Sequence, residues 1–394
     1  MTDWPQVALK RVMRLRNGEP FAQVENDEGT YPVYGSGGPF ARADDYLAEG
    51  PSVLFGRKGT VDRPLLVDGR FWCIDTMFYT SLSSAVEPRF AHYFAMTIPY
   101  DLLSTNTALP SVTQSDLGEV MMPLPPLPQQ RAIADFLDRE TAQIDAMIEA
   151  QEALLQELGL RRTAAVVAEV GLGEDAAQGW ESIPFKYAIS TRFTGEWGSD
   201  PGVDEEDVLC LRVADFDRVR RRAGAAIPTT RSIPAGKKRA KGLRNGDLLV
   251  ERSGGTEKNP VGNVMLYDGP DGAVSSNFIE CVRLTEGHDP AFWCYLQEAA
   301  YSTGFTSQHV RQTSGIQNLD AAGFYRERFN VPPYREQRDI VRRLDEQTHR
   351  IAKMFEAAEA VAALLRERRE ALITAAVTGR IDPHTGIERL EDAS

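Results

Sequence analysis

The chain has 394 residues, 42% of them hydrophobic, which allows two or three domains with ordinary cores and excludes a disordered polymer. No apolar run approaches the ~18 residues of a membrane span, and the opening MTDWPQVALKRV lacks the apolar centre of a secretory signal, so a cytoplasmic protein with no membrane partner is expected. The net charge of −13 weighs against a nucleic-acid binder, because phosphate contacts need Lys and Arg, but the distribution of charge decides more than its sum.

The first globular stretch, residues 1–124, opens with WPQVALKRV (Trp4–Val12). It carries β-branched and aromatic runs broken by Gly, Pro, Asn and Asp, such as SVLFGRKGTV, the pattern of short strands and turns. Residues 125–172 then read as one long helix. Pro125 and Pro126 precede it, where a missing N–H costs nothing, and Gly171 and Gly173 end it. Ile133, Leu137, Ile144, Met147, Leu154 and Leu158 recur at helical spacing along it.

A second globular stretch, 173–331, contains WESIPFKYA (Trp180–Ala188) and another strand-and-turn run, GDLLVERSGG. From Arg218 to Arg244 it has ten basic residues and no acid. A second long helix, 332–380, follows Pro332 and Pro333, with Ile340, Leu344, Ile351, Met354, Val361 and Leu365 on its apolar face, and Gly379 near its end. Residues 381–394 form a tail.

The two helical segments match without a gap at a constant offset of 207 residues. Between Pro125–Val170 and Pro332–Val377, twenty of 46 positions are identical, among them Gln130/Gln337, Arg131/Arg338, Asp138/Asp345 and Thr141/Thr348. This reads as a duplication with a period too long for a solenoid. The apolar positions suit a coiled-coil seam, broken by Glu140, Gln151 and Gln347. Two unrelated helices on two separate cores also satisfy the pattern; the shared heptad phase favours mutual pairing. Each helix of about 40 residues is roughly 60 Å long at 1.5 Å per residue. The globular stretches share only landmarks at their starts and ends, as expected of one frame carrying two different readers.

Catalytic and cofactor motifs are missing. Cys73, Cys210, Cys281 and Cys294 form no C-x-x-C pair, and the five histidines are scattered, so reduced core thiols are expected and no metal site. GSGG (Gly35–Gly38) and SGGTEK (Ser253–Lys258) are neither a phosphate-cradling loop nor a dinucleotide fingerprint. NVPPY (Asn330–Tyr334) approaches an N-P-P-Y methyltransferase tetrapeptide, but Val331 displaces the Asn from the Pro-Pro turn, and the first copy reads PLPPL there. No cofactor is expected.

The chain resembles the specificity subunits of type I restriction–modification systems. The resemblance rests on the two P-P-x-x-x-Q-R-x-I-x-x-x-L-D segments (Pro125–Asp138, Pro332–Asp345) and the tail LITAAVTGRID (Leu372–Asp382). YPVYGSGG and RKGT in the first domain, and GDLLVERSGG and GIQNL in the second, also fit. It implies an α+β fold with a pseudo-two-fold internal repeat, in which two target recognition domains alternate with helices paired as an antiparallel coiled coil. It further implies a non-catalytic subunit that reads one half of a split double-stranded DNA site with each domain. That subunit would bind two methylation subunits and, through them, restriction subunits.

On that reading, groups suited to DNA are Tyr34, Arg57, Lys58 and Arg63 in the first domain. In the second they are Lys237, Lys238, Arg239 and Lys241 as phosphate anchors, Arg252, Ser253 and Lys258 at a strand end, and the polar cluster Gln308, His309, Arg311 and Gln312. The competing class is a coiled-coil scaffold carrying two protein-binding domains that never touch DNA; the acidic net charge favours it.

Overall fold

The computed structural model describes residues 4–104, 110–172, 179–203, 207–257, 259–313 and 315–387. The chain is mixed α/β and divides into two compact units, one of Met1–Gln151 with Ala360–Ser394, the other of Glu152–Glu359. Two helices of 44 residues each, Leu127–Val170 and Tyr334–Val377, are by far the longest elements described.

In the first unit an antiparallel sheet orders its strands Met13–Asn17, Met77–Leu82, Ser52–Gly56 and Leu65–Val67. Ser52–Gly56 lies inside the sheet and is buried throughout, which is why SVLFG reads as a continuous apolar run without alternation. A second, mixed sheet orders Gly38–Ala43, Tyr31–Gly35, Arg70–Cys73 and Ala48–Glu49. Strand Gln6–Ala8 pairs with Met121–Pro123, tying the start of the globular stretch to its end just ahead of the first long helix. The core joins Phe55, Phe78, Phe90 and Phe94 to Ile133 and Leu137 of that helix and to Ile373 and Val377 of the second. Each such aliphatic side chain contributes about 1.5–3 kcal/mol by leaving water.

The second unit is larger. Its main sheet runs Ile189–Thr194, Ile279–Leu284, Leu248–Glu251, Val264–Tyr267, Arg222–Ala223, Phe216–Asp217. Strand Glu181–Pro184 pairs with Arg328–Val331, again joining domain start to domain end. Helix Pro290–Ser302 is set by Asp289, whose carboxylate accepts from the N–H groups of Ala291 and Phe292, with Pro290 at the first helical position. Phe185 stacks on Trp293 at 4.8 Å, and the surrounding core takes in Val166 and Val170 of the first long helix and Ile340 and Leu344 of the second.

The P-P-x-x-x-Q motif has a physical reason in both units. Gln130 is buried: its Nε2 donates to the carbonyls of Pro125 (2.8 Å) and Ala85 (3.0 Å), and its Oε1 accepts from the N–H of Glu87 (2.8 Å). Gln337 donates to Pro332 (2.9 Å) and Gly287 (3.3 Å) and accepts from Asp289 (2.8 Å). Glu87 and Asp289 are the N-caps of helices Pro88–Ala95 and Pro290–Ser302, so one glutamine fastens each long helix to the start of a domain helix. Two turns on, Tyr93 donates to Asp138 and lies 3.3 Å from the Thr141 hydroxyl; Tyr295 donates to Asp345 and lies 3.0 Å from that of Thr348.

The apolar stripe differs from the expected one in phase. Ile133, Leu137, Ile144, Leu158, Ile340 and Leu344 are buried, and Ile351 and Leu365 half-buried. Met147 (51% exposed), Leu154, Met354 (49%) and Val361 face outward. The covered line runs instead through Thr141, Ile144, Ile148, Gln151, Leu155 and Leu158, and through Thr348, Ile351, Phe355, Ala358, Ala362 and Leu365. Thr141 and Thr348 turn inward because each hydroxyl bonds the carbonyl four residues back and meets a tyrosine. From there the stripe advances to Ile148 and Phe355, one place past the methionines. The two corrected stripes keep one common phase.

Gly379 ends the second long helix at φ +80°, with Arg380 N–H bonding the Ala375 carbonyl and Gly379 N–H that of Ala376, a Schellman end that needs the left-handed residue. Gly171 (φ +65°) ends the first, beside the Trp180 ring; Gly173 lies outside the described residues. All four thiols are buried and unpaired, and burial pushes Cys210 and Cys294 up to about 11. Among the described residues, no helix is long and apolar enough to cross a membrane.

Candidate nucleic-acid interface

In the first unit, Arg57 and Lys58 continue from strand Ser52–Gly56 into a tight turn. A Cβ on Gly56 would sit 2.1 Å from the Thr60 carbonyl oxygen, so only glycine fits. The turn is pinned on two sides: Arg57 N–H bonds Thr76 and its carbonyl accepts from Val112, while Gly59 N–H bonds Pro110. The Arg57 guanidinium lies 5.9 Å from the Phe78 ring centroid and 3.4 Å from the Asp75 carbonyl, and Lys58 is exposed. Tyr34 reaches the same neighbourhood through its carbonyl, which accepts from Ile74, but its ring packs edge-on to Phe71 and is partly buried. Arg63 stands apart, lining a cavity of about 530 Å³ with Asp62, Arg369 and Thr374.

In the second unit, folding brings acids to the run that lacks them in sequence. Arg218 reaches buried Glu251, Arg220 pairs with Asp217 and Glu356, and Arg231 pairs with Asp200 at 2.6 Å. Arg221 joins Arg162 on Glu298 in the interior. Lys237 and Lys241, on helix Ala235–Lys241, both grip Glu196 at 2.8 Å and hold its carboxyl below the usual carboxylate range. Arg239 and Arg244 are exposed, and with Lys238 they line a groove of about 560 Å³. The run is therefore largely an internal electrostatic brace, with its outward charge concentrated at this helix and the turn after it.

Arg252 and Ser253 leave strand Leu248–Glu251 beside the hairpin Val310–Thr313/Ile316–Leu319. Arg311 stands opposite Asn318, and Asn318 bridges to Ser253, whose hydroxyl donates to its Oδ1 at 2.6 Å. Arg311, Asn318 and Ser253 thus form a polar row, with exposed Gln312 on the next residue. Asn318 was not singled out in the sequence as a contact residue. Gln308 is exposed too, but it lines a separate cavity with Gly171, Phe305 and Arg328. His309 is the correction: it is 9% exposed, its Nε2 lies 2.7 Å from Glu327, and its ring meets Phe324, so it braces the hairpin from inside. Lys258 lies outside the described residues.

Behind Arg252 sits a group that sequence reasoning missed. Glu280 is buried in strand Ile279–Leu284, accepts from the Tyr325 hydroxyl at 3.0 Å, and lies 3.7 Å from both Arg192 and Arg252. A carboxylate inside IECVRL, where its neighbours are apolar, was the available signal, since buried charges require partners.

Residues 1–157 match the family described as the type I restriction modification DNA specificity domain. The chain is 23% identical over 276 residues to a type I restriction enzyme specificity subunit, StySPI, from Salmonella potsdam; the match covers 66% of this chain and spans 58% of that relative's length. A solved structure from work on complex assembly and conformational transition of the type I R-M system shares the fold. Its TM-score is 0.66 at 18% identity, with 95% of this chain and 97% of that one covered. The S subunit of a type I restriction–modification system from M. genitalium aligns over 93% of this chain and 96% of its own at 16% identity, with a TM-score of 0.42. Gln130, Gln337, Asp138 and Asp345 of the two fastenings fall within the segments that carried the resemblance, and residues 1–157 carry the match to the type I restriction modification DNA specificity domain.

Proposed function

We propose that the chain is a sequence-specific, non-catalytic DNA-binding subunit whose two target recognition domains, 1–124 and 173–331, each read one half of a split asymmetric duplex site. Helices 125–172 and 332–380 pair as an antiparallel coiled coil, make the chain a pseudo-two-fold repeat, and dock two methylation subunits, through which restriction subunits join in the cytoplasm. The observation that carries this reading is the doubled fastening. Gln130 with Tyr93–Asp138, and Gln337 with Tyr295–Asp345, hold unlike domains to like helices by the same atoms. Ile133 and Leu137 packing with Ile373 and Val377, and Ile340 and Leu344 packing with Val166 and Val170, supports the antiparallel order. Duplex backbones are themselves related by two-folds, so two readers on a two-fold frame meet neighbouring half-sites alike.

The second reading, a scaffold that does not bind DNA, draws support from the neutralised basic run and the net charge of −13. Base-resolution methylation mapping in cells with the chain and its methylation subunits, with and without this gene, separates the two. A split, asymmetric methylated motif that vanishes with the gene is expected. An unchanged methylation pattern, together with salt-independent duplex binding by the purified complex, would leave only the scaffold.

A further inference from the structure

One cationic surface of the second unit has no counterpart in the charge run of the sequence. A cavity of about 420 Å³ is lined by Lys186, Ser190, Thr191, Arg192, Tyr325 and Arg326, together with small apolar residues and no carboxylate. Its three cations come from positions 186, 192 and 326, so no sequence window displays them together. One wall is the outermost strand of the main sheet, Ile189–Thr194, where a register shift between Ile189 and Thr191 bulges the chain.

Arg192 is held in place rather than neutralised. Its guanidinium lies over the Tyr325 ring, 4.6 Å from the centroid, and 3.7 Å from Glu280, yet half its side chain stays exposed. Glu280 divides its attraction between Arg192 and Arg252 and also takes the Tyr325 hydroxyl. Two arginines therefore share one buried charge, leaving the cluster net positive. Lys186 and Arg326 are exposed, and no carboxylate lies within ion-pair reach of either among the described residues. Through Glu280 the basin adjoins Arg252 and hence the row Ser253–Asn318–Arg311.

We infer that this basin seats a phosphodiester of the duplex whose bases meet the adjoining polar row, an inference that rests on the DNA-reading function proposed above. A guanidinium fixed by a ring and a carboxylate presents its remaining N–H donors to a tetrahedral oxyanion at little entropic cost, and the two flexible cations close around it. Phosphate contacts of this kind set register and orientation and carry no sequence information.

The test is duplex binding by the full chain, followed by fluorescence anisotropy over a KCl series. The variants are Lys186→Gln/Arg192→Gln/Arg326→Gln and the double Lys186→Gln/Arg326→Gln, which keeps the Arg192–Tyr325 stack. A control removes equal charge from exposed helix positions, Arg335→Gln/Arg338→Gln/Lys353→Gln. Each phosphate neutralised adds about 0.9 to the slope of log K against log [salt], so the triple variant, which empties the one seat, should lose about one from that slope, the double a smaller part of it, and the control nothing. If the parent binds and the triple variant keeps its slope, or the control loses as much, the basin is wrong while DNA reading stands. If the parent binds no duplex at any salt, DNA reading falls and takes the basin with it. Saturable binding of inorganic phosphate that the triple variant loses, with the DNA slope unchanged, would assign the basin to a free oxyanion and overturn the inference.

Discussion

The phenol of Tyr295 donates a 2.7 Å hydrogen bond to the Asp345 carboxylate, and the phenol of Tyr93 makes the same bond, at the same length, to Asp138. Each tyrosine stands on a short helix of a globular domain and each aspartate on a long helix, so the pairs set where each domain meets its long helix.

Removing either phenol should therefore loosen one domain. A hydrogen bond to a charged group is worth roughly 1.5–3 kcal/mol, and partial exposure of the carboxylates places these pairs near the lower end. Tyr93→Phe is expected to cost about 1–2 kcal/mol by denaturant unfolding, with Asp138 still paired to Arg89. Burial pushes the Tyr93 hydroxyl up to about 12. Its folded value exceeds its unfolded one, so its contribution is complete below about pH 10 and is lost as pH rises toward 12. The parent should lose stability over that window faster than Tyr93→Phe; parallel curves would remove the bond from the account.

The hairpin residues should divide by burial. Arg311→Ala and Gln312→Ala are exposed changes, expected to leave thermal stability unaltered and to relax one half-site only, by about 1–3 kcal/mol per lost bidentate base contact. His309→Ala removes a brace between Glu327 and Phe324, so it should lower the melting temperature and weaken binding to all second half-sites equally. Binding to duplexes substituted one base pair at a time reads both. Relaxed specificity in His309→Ala with an unchanged melt would restore it to the interface.

The strands, the long helices and their proline and glycine ends were legible because periodicity, missing N–H groups and positive φ are local matters. The helix stripe was legible only to within one residue. Ile144 is followed by Met147 and Ile148, both apolar, and the choice between them is made by Tyr93 and Tyr295 drawing Thr141 and Thr348 inward from distant segments. Charge was the least legible feature. The acids that neutralise Arg218, Arg220 and Arg231, and the union of Lys186, Arg192 and Arg326, arise from long-range contacts that no sequence window holds. His309 misled for the same reason, since its partner Glu327 is reached only when the hairpin folds back.

Glu196 offers a gain of function. Its carboxylate occupies the ammonium groups of Lys237 and Lys241, and their hydrogen bonds, then their charge, lower its titration. Because the folded value is depressed, this stabilisation is present above the unfolded value near 4.5 and is lost as pH falls through the folded one. Glu196→Gln should release both lysines at neutral pH, tighten non-specific duplex binding, and steepen the salt dependence by about one ion per added phosphate contact. An unaltered slope in a folded variant would mean that helix Ala235–Lys241 does not face DNA.

The deepest consequence of the shared phase concerns half of the chain. Position for position, Val166 and Val170 stand 207 residues before Ile373 and Val377, as Ile133 and Leu137 stand before Ile340 and Leu344. In the first unit Ile133 and Leu137 pack with Ile373 and Val377; in the second, Ile340 and Leu344 pack with Val166 and Val170. A fragment ending near Glu174 lacks Ile373 and Val377, but a second copy brings Val166 and Val170 to the same place, at the cost of one methylene per copy. An Ile-to-Val exchange in a core costs about 0.5–1.5 kcal/mol, small beside the area two such helices bury. The fragment should therefore dimerise and, with methylation subunits, direct methylation to a symmetric site built from the first half twice. Light scattering reads the first outcome and methylation mapping the second. A folded monomer, or a dimer that still marks the asymmetric site, would sink the idea.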